Sequence, residues 1–168
     1  MSWSRRSLLL SPLALGACGF HPLYSEETAA VDEPALASVR VLPIPERLGQ
    51  QLELSLREAL NPHGYNTKTL YNLTTVLTQT HVDLGIQRDA SSTRGRVDVY
   101  ATITLSDAKS AKVIYTGRAQ STSSYNILTD GYAAQVAQDD AGTRTVRDLT
   151  TEIRTRIVLV LRNQKKSA

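Results

Sequence analysis

Arg96-Val97-Asp98-Val99-Tyr100-Ala101-Thr102-Ile103-Thr104-Leu105-Ser106 is the stretch that decides the fold. Val97, Val99, Ala101, Ile103 and Leu105 alternate with Arg96, Asp98, Tyr100, Thr102, Thr104 and Ser106, the period of two that gives an extended chain one core face and one wet face. Downstream, Asp107-Ala108-Lys109-Ser110 is rich in turn formers. Beyond it Val113, Tyr115, Gly117, Ala119, Ser121, Ser123 and Tyr125 continue the alternation. Upstream, Val76, Thr78, Thr80, Val82, Leu84 and Ile86 share one face, and Gln79, His81, Asp83 and Gln87 the other. Three strands with short connections predict an antiparallel meander.

The flanks change period. Ser38 to Ile44 reads as a short strand, with Val39 and Val41 set against Arg40 and Leu42, and Pro43 and Pro45 end it because proline cannot donate to a ladder. From Glu46, Leu48, Leu52, Leu56, Ala59 and Leu60 recur at helical spacing until Asn61-Pro62-His63-Gly64 stops the pattern. A second helical segment spans about Gly131 to Gln164 through Val136, Val146, Leu149, Ile153, Ile157, Val160 and Leu161, and Gly142 is positioned to kink or divide it. Asp139 and Asp140 read as capping residues there. The order β-α-β-β-β-α predicts an α+β domain, two helices packed on one face of a four-stranded, mostly antiparallel sheet, with the opposite face left polar.

The N-terminal segment bears on location. Arg5 and Arg6 precede a ten-residue, largely apolar stretch, Leu8 to Ala17, far too short to cross a bilayer as a helix. Leu15-Gly16-Ala17-Cys18 then has the layout of a lipoprotein processing site. The expectation is a cleaved signal peptide over 1–17 and lipidation of Cys18, whose several acyl chains (palmitate among the family of such tails) would give the stable attachment that one chain cannot. The alternative is an ordinary secretory signal followed by a stray thiol. The pair Arg5-Arg6 leaves open whether export uses the general or the twin-arginine route. Residues 18–37 read as the lipidated N-terminus and a flexible tether, small and acidic around Glu26, Glu27, Asp32 and Glu33. A single domain over 38–164 and a short tail, 165–168, complete the chain.

Charge narrows the function further. The whole chain carries 19 Lys and Arg against 16 Asp and Glu. Loss of Arg5 and Arg6 leaves 17 − 16 = +1, so the footprint of a nucleic-acid binder is absent. Cys18 is the one cysteine, so disulfides cannot staple the fold. The three histidines, His21, His63 and His81, lack mutual metal-ligand spacing, and His81 with Asp83 reads as solvated strand surface before it reads as a metal pair. Neither a nucleophile elbow, a phosphate loop nor an HExxH motif occurs. No catalytic residue, metal or cofactor is expected. Arg88, Arg94, Arg96, Lys112 and Arg118 fall on or beside the strands, where a guanidinium fork suits phosphate. At any single position a solvated charge is the simpler reading, for instance Arg96 paired with Asp98.

Cys18-Gly19-Phe20-His21-Pro22-Leu23-Tyr24 resembles the mature start of the LptE family, the lipopolysaccharide-assembly lipoproteins of the Gram-negative outer membrane. Asp83-Leu84-Gly85, Asp89-Ala90-Ser91-Ser92-Thr93-Arg94, Ser124-Tyr125-Asn126 and the closing helix carry the resemblance to about residue 162. It implies a periplasm-facing lipoprotein, held in the outer membrane by its N-terminal lipid, that sits in the lumen of the LptD β-barrel, helps that barrel assemble and contacts lipopolysaccharide. Gly19 in place of Asp after the cysteine is similar to lipoproteins passed on to the outer membrane. Arg94, Arg96, Lys112 and Arg118 become the expected lipopolysaccharide contacts. The competing expectation is a periplasmic auxiliary lipoprotein of an ABC-type lipid transporter, which shares the processing site and a small α+β domain.

Overall fold

A computed structural model describes residues 34–62, 64, 68–86 and 92–167. Cys18, His21, His63, Arg88 and the segment 1–17 therefore lie outside the described residues. The elements follow the expected order: β1 (Val39–Val41), α1 (Arg47–Leu60), β2 (Tyr71–Ile86), β3 (Ser92–Asp107), β4 (Val113–Asn126) and α2 (Gly131–Ser167). They form one open sheet of order β1-β2-β3-β4. β1 runs parallel to β2, which requires the crossover that α1 supplies, and β2-β3-β4 is the antiparallel meander.

Both helices lie on one face. Val97, Val99, Ala101, Ile103 and Leu105 are essentially inaccessible to solvent, as the alternation requires. Directly opposite stand Leu73 and Thr75 on β2, paired with Leu105 and Ile103, and Ala119 and Ser121 on β4, paired with Ala101 and Val99. From α2, Ala141, Thr145, Leu149, Ile153, Ile157 and Leu161 bury a stripe at four-residue spacing, and from α1 come Leu52, Leu56 and Leu60. Length explains why one helix covers the sheet. At 1.5 Å per residue, the 37 residues of α2 reach about 55 Å, matching the roughly 53 Å of a 16-residue strand.

Several details differ from the sequence reading. Gly142 does not divide α2; it lies against α1, where a Cβ would meet Leu48 Cδ1 at 3.3 Å. Asp139 and Asp140 lie inside the helix and do not cap it. Asp130 does, its Oδ1 accepting from the backbone N–H groups of Tyr132 at 2.8 Å and Ala133 at 3.3 Å. Val136, expected in the stripe, is exposed. The folded part begins ahead of residue 38: a helical turn at 34–36 buries Leu36, and the N–H and hydroxyl of Ser38 bond to the Ala35 carbonyl. At the other end α2 reaches Ser167, beyond the expected 164. A register shift between Leu105 and Ser106 pairs Ser106 with Val113 and Leu105 with Tyr115, so Val113 leaves the face that Tyr115 and Gly117 share.

Asn61 ties the crossover together. Its backbone N–H closes α1 on the Arg57 carbonyl, and its buried Nδ2 donates to the Val39 carbonyl at 3.2 Å, fastening the end of α1 to β1.

Candidate functional site

The uncovered sheet face is the candidate site. Registry assigns to it Arg40 of β1; Asn72, Thr74, Val76, Thr78, Thr80, Val82 and Leu84 of β2; Arg94, Arg96, Asp98, Tyr100, Thr102, Thr104 and Ser106 of β3; and Thr116, Arg118, Gln120, Thr122, Ser124 and Asn126 of β4. Hydroxyls and amides dominate because β3 and β4 turn most of their apolar residues to the helices. The face is not uniformly polar, however: Val76 is 60% and Tyr100 48% exposed. Among the described strand positions it carries four arginines, Arg40, Arg94, Arg96 and Arg118, against one acid, Asp98.

That acid is already engaged. Asp98 Oδ2 receives Arg96 Nη2 at 3.0 Å and Nε at 3.1 Å, and its Oδ1 accepts from Thr122 Oγ1 at 2.8 Å. The fork of donors on Arg96 is thus directed sideways along the sheet. Arg94 stands two residues away on the same face, near the β2-β3 connection. Arg118 is opposite Thr102, whereas Arg96 is opposite Ser124, and the six-residue step between Ser124 and Arg118 separates the two arginines by about 20 Å. Lys112 belongs to the turn at the other end of the sheet. The four expected contacts therefore do not converge on one ligand-sized point: Arg94, Arg96 and Arg118 share a face and Lys112 borders it. Arg40 joins them, and its alternation with Val39 and Val41 was the signal that could have found it.

The turn beside Lys112 is rigidly made. Asp107 Oδ1 accepts from the N–H groups of Lys109 and Ser110, at 3.0 and 2.7 Å, and from the Ser110 hydroxyl at 2.8 Å. These donors, Ser110 first, hold its carboxyl below the ordinary carboxylate value. Ala111 follows in the left-handed region with φ 56°.

On the helix side, the far end of the sheet is polar. His81 contacts Gln79 Nε2 at 2.8 Å through Nε2 and Gln138 Nε2 at 3.1 Å through Nδ1, joining β2 to α2. Among the described residues no three His, Cys, Asp or Glu side chains converge on a common point. Arg144 of α2 reaches Asp140, Ser123 Oγ at 2.9 Å and the Ser124 carbonyl at 3.0 Å. Arg156 reaches Glu152 and the Arg118 carbonyl. Burial works against the charge of Arg156, and the Tyr115 hydroxyl with the Glu152 carboxylate outweighs it, raising its pKa. The sequence reading assigned neither arginine a role.

The fold is one that bacterial lipoproteins adopt. The chain is similar to a protein of Caulobacter crescentus CB15 assigned to the lipoproteins, at 23% identity and TM-score 0.66, over 79% of this chain and 96% of that one. It is also similar to a minor lipoprotein of Acinetobacter baumannii, at 17% identity and TM-score 0.58, over 73% and 92%. A Helicobacter pylori chain assigned as a homologue of the neuraminyllactose-binding hemagglutinin shares the fold at 15% identity and TM-score 0.51, over 77% and 86%. No family model matches the sequence. No curated protein matches it either.

Proposed function

We propose that this chain is a non-enzymatic outer-membrane lipoprotein, anchored through Cys18, that fills and helps assemble an LptD-type β-barrel and contacts lipopolysaccharide on its way to the outer leaflet. The observation that carries the reading is the uncovered sheet face, some 50 Å long, lined by Thr, Ser, Asn and Gln and holding Arg40, Arg94, Arg96 and Arg118 against a single paired acid. The lumen of an outer-membrane barrel is polar, so a plug needs hydrogen-bonding groups on its outside and a core of its own. This domain has both. The processing-site sequence at Cys18 and the likeness of the fold to bacterial lipoproteins support the same reading.

The domain acts by shape and charge. Hydroxyls and amides of the open face bond to the barrel wall, while arginines at separate places along it meet phosphates as they pass, which suits a moving ligand better than one deep pocket would. The test is a mild-detergent pull-down of the tagged, lipidated chain with mass spectrometry of its partners. A large β-barrel recovered at near-equal amount is the expected result. An inner-membrane permease in its place overturns the reading and favours the transporter-auxiliary role.

A further inference from the structure

β4 forms one edge of the sheet and is 14 residues long, whereas β1, on the other edge, has three. A long edge strand presents unpaired N–H and C=O groups that recruit another strand. The two arginines of α2 described above meet that edge. Arg144 Nη2 donates to the Ser124 carbonyl at 3.0 Å, and Arg156 Nη1 donates to the Arg118 carbonyl. Residues 118 and 124 are an even step apart, so both carbonyls point the same way, off the edge and away from β3. Between them the backbone groups of Gln120 and Thr122 face outward in the same manner.

Their placement singles out one competitor. A second copy of β4, laid antiparallel about a two-fold axis at Ser121, would set residue 118 opposite 124 and 120 opposite 122, each pair exchanging two backbone hydrogen bonds. The two carbonyls that the arginines occupy are those that open and close this four-residue ladder. We propose that Arg144 and Arg156 form a guard that keeps edge strand β4 from pairing with β4 of a second copy of this chain. The guard holds the domain as a monomer while its polar faces have no partner. It costs the core nothing, because both guanidinium groups reach the edge from α2 beside the covered face, each steadied by an acid one turn before it, Asp140 and Glu152.

The experiment uses the full lipidated chain in detergent micelles. Arg144→Met with Arg156→Met keeps the aliphatic stems and removes the donors. Sedimentation should give one protomer per micelle for the parent chain and two for the double variant at micromolar protein. Adding Gln120→Pro, which deletes an outward N–H and leaves the β3 ladder and the Asp98-Thr122 bond in place, should return the double variant to one protomer. The register is read by Ser121→Cys, since position 121 would face its own copy and close a symmetric disulfide. Oxidation should cross-link that variant at least tenfold more when Arg144→Met is added. A natively folded double variant that remains a single protomer overturns the proposal, as does association that Gln120→Pro leaves intact. If the double variant loses its native circular dichroism, the Ser121→Cys comparison with Arg144→Met alone decides, and an unchanged cross-linking yield overturns it.

Discussion

Tyr125 stands directly opposite Gly95 across the β3-β4 ladder and lies so close that a Cβ on Gly95 would sit 2.4 Å from ring carbon Cζ. The glycine leaves a notch in the sheet and the aromatic ring closes it, so two otherwise weak positions become one packed unit. Gly95→Val should therefore destabilise the fold by about 1–3 kcal/mol, the usual cost of overpacking. Tyr125→Ala should lose stability by opening the notch. If the pair acts as a unit, Gly95→Val in a Tyr125→Ala background should cost less than in the parent, and a double-mutant cycle by urea denaturation measures the difference.

The same tyrosine predicts an alkaline response. Burial, with a smaller contribution from the Asp83 carboxylate, raises the Tyr125 phenol above its ordinary value of 10.0. A phenol with a raised folded-state pKa stays neutral where the unfolded chain ionises. Its contribution to stability is complete below the unfolded value and is lost as pH climbs through the folded one. Ultraviolet titration should show the Tyr125 phenol ionising above its ordinary value, and Tyr125→Phe should remove both that step and its share of the alkaline loss.

Asp107 predicts the acid response. Its carboxyl is held low by donors from Ser110 and Lys109, so its stabilisation is present above the ordinary carboxylate range and is lost as pH falls through the lowered value. Asp107→Ala should lower the melting temperature at neutral pH. The gap between the two proteins should begin to narrow below about pH 4, where the carboxyl of the unfolded chain takes up its proton, and should close as the folded carboxyl protonates at still lower pH. A gap of constant width from pH 7 to pH 3 would show that the turn owes its stability to backbone geometry alone.

Periodicity made most of the architecture legible before any coordinates. The alternation from Val97 to Leu105 and the four-residue spacing of Leu149, Ile153 and Ile157 each follow from a face that must be buried, and burial is what a sequence records most directly. What escaped depends on registry between elements. Nothing local in β2 says that Leu73, Thr75 and Leu77, and not Val76 and Val82, face the helices; pairing with β3 decides it. The same is true of Asp98, whose clasp by Arg96 from its own strand was readable, but whose bond to Thr122 required knowing which residue of β4 lies opposite. The edge contacts of Arg144 and Arg156 were not legible, because the groups they reach on β4 include backbone carbonyls, which carry no sequence signature.

Registry also separates the arginines of the open face into two kinds, and this gives the sharpest mutational contrast. Arg96 is spent on Asp98, so Arg96→Glu would bring two carboxylates together on a nearly buried acid and should destabilise the domain as well as altering its surface. Arg118 projects from the middle of the open face; its guanidinium forms no ion pair among the described residues, and its backbone carbonyl, not its side chain, meets α2. Arg118→Glu should leave stability within about 0.5 kcal/mol of the parent, as surface substitutions usually do. If the open face meets a barrel wall and passing phosphates, the same substitution should still reduce the recovered barrel or the binding of lipopolysaccharide several-fold. Thermal melts and the pull-down, run side by side on both variants, check this: a stable Arg118→Glu protein with undiminished partner recovery and lipopolysaccharide binding would remove Arg118 from the contact surface.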